Sequence, residues 1–403
     1  MHFSLPGPRR KRDVSNTENN KWKGASLRPE KCYSGLLWKM GEQKEYIKKF
    51  VAMQRLPYEV KVKRAEQRAK EFYEKVVCDM GKNVHVSVGG LDSLTLLYFL
   101  RDIGLDVPAI GVTSLENWSI RKIHKKVGVK PIKPFMYKHE VLRNLGFPVI
   151  SKAKARKINI LQNADSEKQT FIHAIMTGDM GEQGKWQHSN KIKLPDKWIE
   201  LFGGNYQSHR PDLHCRCANF KVSSDCCKYM KEDPCDAWAK EHDSYPYLGL
   251  MASEGGQREF ALMKNGCNYY GKDVIRSAPF APFMRQDILR LAIDLEVPIP
   301  EVYGTIERKP DGTLYTTKAQ RTGCEICGFG IHLEKRPHRF DRFREENEKA
   351  WHFWMYEVCE DEATGEKYGW GRVLDYIGVK WEDRYIDWEK AQMSLFDIPE
   401  VLP

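Results

Sequence analysis

Two sets of residues in this chain have types and spacings that could do chemistry. The first is the run Ser87-Val88-Gly89-Gly90-Leu91-Asp92-Ser93. Paired glycines let a backbone turn tightly and approach a phosphate, whose charge is favoured by the free N–H groups and positive dipole end of a helix starting there. Asp92 would repel a bare phosphate, so its work is to cap the helix or to hold Mg²⁺ against a pyrophosphate, while Ser93 can donate to a phosphate oxygen. The run is neither a Walker A loop, since no Gly-Lys-Ser/Thr follows, nor a Gly-x-Gly-x-x-Gly dinucleotide fingerprint. An ordinary strand-to-helix turn is the plain alternative. The second set is Cys226-Cys227 and Cys324-x-x-Cys327, with 96 residues between the two pairs. Four thiolates from distant pieces of chain can close one tetrahedral zinc site, hold an iron–sulfur cluster, or simply be buried as small apolar side chains. Zinc ligands usually stand roughly two to four residues apart, which suits an adjacent pair poorly. His214, Cys215, Cys217 and Cys235 crowd the same neighbourhood and receive no role from the sequence.

Elements must position these groups. Val84 to Val88 is β-rich, Gly89-Gly90 marks a turn, and Leu94, Leu97, Tyr98 and Arg101 then fall at helical spacing until Gly104. Val107 to Val112 predicts a second buried strand, Ser119 to Val127 a helix, and Phe147 to Ile150 a short strand, with another strand from Tyr247 to Met251. Strand and helix alternate, which predicts an α/β fold with a doubly wound parallel sheet covered on both faces. One or two helices precede it between Gly41 and Asp79, and Lys152 to Pro211 reads as a helical insertion. Three segments follow: a basic extension at 1–41, a main domain at 42–345, and a Trp-rich C-terminal extension at 346–403.

Composition bounds the chemistry. The 403 residues carry 65 Lys and Arg against 55 Asp and Glu, a net charge of +10 that suits anionic small molecules and nucleic acid alike. No apolar run approaches the length of a membrane span, and no apolar stretch follows Arg9-Arg10-Lys11-Arg12 as it would in a secretory signal. Eleven cysteines without such a signal predict reduced thiols, metal chemistry and a cytoplasmic protein.

The glycine run resembles the Ser-Gly-Gly-x-Asp-Ser pyrophosphate loop of the PP-loop ATP pyrophosphatases, with Val88 in place of the motif's first serine. Cys226-Cys227-Lys228-Tyr229-Met230-Lys231-Glu232-Asp233-Pro234 resembles the Cys-Cys-x-x-x-Lys-x-x-Pro segment of adenylylsulfate and phosphoadenylylsulfate (PAPS) reductases, whose partner is a distant Cys-x-x-Cys. Gly249 to Arg258 resembles the Gly-x-Arg-x-x-Glu-Ser-x-x-Arg stretch of the same family, with Met251 replacing the first arginine. Gly328-Phe329-Gly330-Ile331-His332 is similar to a version in uncharacterised, often phage-borne, members. The resemblance covers roughly residues 42 to 345.

The resemblance implies a PP-loop (HUP-type) fold, with Ser87, Gly89, Gly90, Asp92, Ser93, Glu254 and Arg258 at an adenine nucleotide and the stretch Val112 to Glu116, with Ser114, beside its ribose or base. It implies a 4Fe-4S cluster on Cys226, Cys227, Cys324 and Cys327 with Lys231 close by, Mg²⁺ as an accompanying ion, and action at the α-phosphate side of ATP or a sulfonucleotide. The thioredoxin-coupled members also carry a cysteine in a C-terminal Glu-Cys-Gly-Leu-His segment; here the last cysteine is Cys359, in a different context. Two alternatives stay open: a cluster-dependent enzyme placing sulfur on tRNA or DNA, suited by the basic runs Arg9 to Arg12 and Lys152, Lys154, Arg156 and Lys157, and a non-catalytic nucleotide-binding protein with a structural zinc site. Neither the oligomeric state nor the sulfur donor and acceptor follow from the sequence.

Overall fold

The computed structural model describes residues 47–163, 169–180 and 188–381, so the extension expected at 1–41, with its basic run Arg9 to Arg12, and residues 382–403 of the Trp-rich segment lie outside the described residues. The chain divides into two units, Met1–Lys49 and Phe50–Pro403, and the fold below is that of the second.

Six strands form one sheet: β1 (Asn83–Ser87), β2 (Ala109–Gly111), β3 (Lys130–Pro131), β4 (Ser244–Leu248), β5 (Asn268–Tyr270) and β6 (Ile275–Ser277), in the order β3-β2-β1-β4-β6-β5. All neighbours run parallel except β5 against β6. This is a mixed α/β fold around a mostly parallel sheet. The central strand β1 sets Val86 opposite Ala109 on one side and Tyr247 on the other. Val84, His85 and Val86 are all buried, the continuous burial of a strand covered on both faces.

The first half of the chain includes the helices α1 (Tyr58–Tyr73), α2 (Leu91–Asp102), α3 (Trp118–Val127) and α4 (Lys138–Asn144). α2 buries Leu91, Leu94, Leu96, Leu97, Phe99 and Leu100, nearly its whole circumference, in the core that also holds Val84, Val86 and Tyr247. α3 starts where Asn117 accepts the Ser119 N–H at 2.9 Å, an N-cap bond that satisfies a first-turn amide. The region expected as a helical insertion contains α5 (Lys152–Asn163), α6 (Gln169–Thr177) and α7 (Asp196–Phe202).

A second core joins this insertion to the end of the described chain. Phe147, Trp198, Phe202 and Phe220 share it with Trp351, Trp370 and Trp381, so residues 346–381, expected as an extension, supply a large part of its aromatic content. The strand expected at Phe147 to Ile150 is absent from the sheet; the segment makes isolated bridges from Phe147 to Val222 and from Ile150 to Phe329. Pro148 has no N–H to give a ladder, and Ile150 stands at φ 65°, which breaks an extended path. No described helix is long and apolar enough to cross a membrane.

Candidate functional site

From buried Val88 the chain turns through Gly89-Gly90 into α2. Ser93 ties the turn: its Oγ accepts the Gly89 N–H at 2.7 Å and donates to the Gly90 carbonyl at 2.9 Å. His124 Nε2 holds the Gly89 carbonyl at 2.8 Å. From the opposite side the Tyr303 hydroxyl accepts the Leu91 N–H at 3.1 Å and bonds Thr322 at 2.7 Å. That approach requires glycine at position 90, where a Cβ would collide with the Tyr303 hydroxyl. Gly249, just past β4, is required in the same way, since its Cβ would lie 2.9 Å from Ser93 Cα.

The topology makes this turn one wall of a crevice. After β1 the chain builds outward through β2 and β3, then returns to place β4 on the other side of β1, so the loops after β1 and β4 diverge at the carboxyl ends of the strands. A cavity of about 660 Å³ opens there, within the size range of small-molecule sites. Ser87, Gly89, Gly90, Asp92, Ser93, Lys231, Glu254 and Arg258 all line it. Ser114 does not line it: the turn Thr113–Leu115 exposes Ser114 and sends Leu115 into a small core, leaving Val112 and Glu116 on the wall. A wider opening of about 930 Å³ at the edge of the second core, between Arg143, Phe202 and Tyr368, includes neither the glycine turn nor the paired cysteines.

Three carboxylates on the cavity wall are paired with cations. Asp92 is bound by Arg285, Glu116 by Lys231 at 2.6 Å, and Glu254 by Arg258 at 2.7 Å with Arg321 at 3.8 Å. Burial and the charge of Glu254 push the Asp92 carboxyl above its usual range, against the pull of Arg285 and Arg321. On the same wall two guanidinium nitrogens, Arg276 Nη1 and Arg285 Nε, are buried without a hydrogen-bond partner.

The four cysteines converge beside this cavity. Cys226 and Cys227 open a helical stretch that runs through Lys228–Glu232 into α8 (Asp233–Glu241). The Cys324–Cys327 turn is closed by the Cys327 N–H on the Cys324 carbonyl at 3.1 Å, and the Glu325 N–H fastens it to the Leu115 carbonyl at 3.1 Å. Within that turn buried Ile326 stands at φ 52°, a conformation a β-branched residue adopts only when its surroundings impose it. Cys226, with Cys227, Cys235 and Cys324 against it, belongs to a small core with Val112, Leu115, Val141 and Met230.

Cys226 Sγ donates to Cys227 Sγ at 3.9 Å, which pushes the Cys226 thiol up, as does burial, and draws Cys227 toward thiolate, helped by the charges of Lys152 and Lys231. Burial pulls the Lys231 ammonium down, but the charges of Cys324 and Glu116 and its bond to Glu116 outweigh that and hold it protonated. Lys138 Nζ is buried with no hydrogen-bond partner, and burial lowers it against the opposing pull of Cys324 and Cys327. Among the described residues no three His, Cys, Asp or Glu side chains are gathered tightly enough for one metal ion. Four thiols with the cations Lys138, Lys152 and Lys231 around them are a donor set that suits an anionic iron–sulfur cluster.

The residues proposed from sequence for nucleotide and cluster thus fall into two adjoining groups, Ser114 excepted. Arg276, Arg285, Arg321 and Lys138 were not singled out; each is an isolated basic residue in a chain with many, and no motif marks it. Cys235 lines the cavity, while Cys217 donates to Asn205 Oδ1 at 3.1 Å, away from the four thiols. No protein-family model matches this chain, and no curated protein matches it.

Proposed function

We propose that the chain is an adenine-nucleotide enzyme of the PAPS reductase type, built on a doubly wound PP-loop (HUP-type) domain. It binds ATP, adenylylsulfate or phosphoadenylylsulfate at the glycine turn and carries a 4Fe-4S cluster on Cys226, Cys227, Cys324 and Cys327. One observation supports this above the others: Lys231 lines the nucleotide cavity, grips Glu116 on its wall and feels the charges of Cys324 and Cys227. The two chemistries therefore share a side chain.

In this reading a phosphate sits at the first-turn amides of α2, and Ser93 gives up the Gly90 carbonyl to donate to it. Arg285 leaves Asp92 to meet the phosphate, and Asp92 is then free for a Mg²⁺ brought in on the nucleotide. Lys231 and Arg258 flank the group leaving the α-phosphate side. A bound cluster supplies redox or sulfur-handling chemistry at the edge of the pocket. Cys359 does not supply the mobile thiolate of the thioredoxin-coupled members, since it is buried in the second core and burial pushes its thiol up to about 11.

The nucleic-acid alternative draws less support. Lys152 pairs with Glu232 at 2.9 Å, and Lys157 donates to the Lys191 and Lys193 carbonyls, so half of that basic patch is already engaged. Calorimetric titration with ATP, adenylylsulfate and phosphoadenylylsulfate, with iron and sulfide analysis of anaerobically purified protein, tests the proposal. Binding of at least one nucleotide and about four irons per chain are expected. No binding of any of the three sinks it. Steeply salt-dependent binding to tRNA or duplex DNA, without sulfite from either sulfonucleotide, would favour the alternative.

A further inference from the structure

Lys138 opens α4 with its ammonium buried and without a hydrogen-bond partner. A buried cation is costly unless an opposite charge answers it. The thiol cluster lies on this face of the helix: Val141, one turn along, belongs to the small core of Cys226, Cys227 and Cys324, and the Cys324, Cys327 and Cys226 thiols act on the ammonium together with the Glu325 carboxylate of the Cys324–Cys327 turn. Against another side stands the ring of Trp354, its centroid 5.7 Å from Nζ, a cation–π distance. Trp354 lies in the turn Phe353–Glu357, whose neighbours Trp351 and Met355 are fixed in the second core. Neutral thiols leave this ammonium to the half-buried Glu325, whose carboxyl burial pushes toward its neutral form. Thiolates on an anionic cluster compensate it.

We propose that Lys138 is an internal counter-charge of the cluster-bound thiolates and that Trp354 holds its ammonium in place, so that the helical stretch bearing Trp354 contributes to the reduction potential of the cluster. The inference rests on the cluster reading above and adds to it a positioning pair. Lys231 differs in kind, because it also answers the Glu116 carboxylate in the cavity. A cation beside an anionic cluster favours its reduced form, so removing that cation lowers the potential.

The test compares wild type, Lys138→Arg, Lys138→Met, Trp354→Leu and the double variant Lys138→Met/Trp354→Leu as full chains prepared anaerobically, reading iron and sulfide content and the midpoint of a reductive titration. Lys138→Met is expected to keep its iron and shift the equilibrium at least tenfold toward the oxidised cluster, about 59 mV for one electron. Trp354→Leu should shift it the same way by less, and Lys138→Arg should restore most of it. Because Trp354 acts through Lys138, the double variant should match Lys138→Met alone. An unchanged midpoint in Lys138→Met, or a Trp354→Leu effect that persists without the lysine, overturns the proposal. Should Lys138→Met fail to hold iron, Trp354→Leu and Lys138→Arg decide it: a midpoint equal to wild type in Trp354→Leu overturns it. Wild type without iron and sulfide would overturn the cluster reading and this inference together, whereas a loaded wild type with an unmoved Lys138→Met midpoint overturns this inference alone.

Discussion

The nucleotide cavity and the thiol cluster share Lys231 and are built on opposite electrostatic plans. In the cavity Asp92, Glu116 and Glu254 each have a cation of their own, so these carboxylates are already compensated in the empty site. Around the thiols the balance is open at one group: Lys138 is buried without a hydrogen-bond partner, while Lys152 and Lys231, each paired with a carboxylate, also act on Cys227. A ligand entering the cavity must exchange partners, and its affinity is the small difference between two sets of ion pairs. A group bound at the thiols instead supplies charge that the fold lacks. Ligand loss should therefore be felt weakly in the first region and strongly in the second.

The largest effect expected is at the thiols. Cys226→Ser or Cys324→Ser should abolish iron and sulfide binding and lower the unfolding midpoint, since metal-site binding energy adds directly to folding energy. A variant that keeps its full iron and colour would break the comparison at its stronger end.

The next effect comes from the wall of the cavity. His85 is buried, with Nδ1 2.8 Å from Ser244 Oγ, and burial holds its imidazole at about 4 rather than the usual 6.5. The folded state then binds fewer protons than the unfolded chain. Stability is complete above about pH 6.5, falls as pH drops toward 4, and levels off below that, for a total of about 3 kcal/mol. Burial lowers His124 in the same sense. Urea unfolding across this range should show the slope, and His85→Asn should flatten most of it; an unchanged slope would place the acid sensitivity elsewhere.

Asp92 gives a smaller effect whose sign depends on the ion. With Mg²⁺ present, Asp92→Ala should weaken nucleotide binding about tenfold, or about 1.4 kcal/mol. Without Mg²⁺ the same change removes a repelling carboxylate and releases Arg285, so binding should hold or tighten. Titration calorimetry in both buffers checks it, and equal weakening in both would mean that Asp92 acts by shaping the turn.

The two regions also differ in how far they could be read from the chain. The strand, glycine turn and helix at Val84 to Gly104 were legible because period and turn chemistry are local, and the structure sets them as β1, turn and α2. The paired cysteines were legible as types and spacings, and their convergence depends on the Glu325 bond to Leu115, which no local pattern announces. Lys231 and Arg258 were legible from their motifs, but Arg285 and Lys138 were not: they gain meaning only from burial and from what tertiary packing sets opposite them. The aromatic residues after 346 read as an extension because their partners, Phe147, Trp198 and Phe220, lie more than a hundred residues away in the chain.

Tyr303 offers the smallest effect and separates a phosphate turn from an ordinary one. Tyr303→Phe removes the hydroxyl that accepts the Leu91 N–H and bonds Thr322. In the empty protein that amide loses its partner at a buried position, which costs about 1 kcal/mol. When a nucleotide is bound, a phosphate oxygen can accept the same N–H, so the loss should nearly vanish at saturation. By linkage the variant then binds nucleotide more tightly by the same free energy, about fivefold. Chemical unfolding of both proteins, with and without saturating nucleotide, measures the difference. An equal loss in the two conditions would make Tyr303 a plain strut and leave the Leu91 amide out of the phosphate cradle, so that the turn would be held by packing alone.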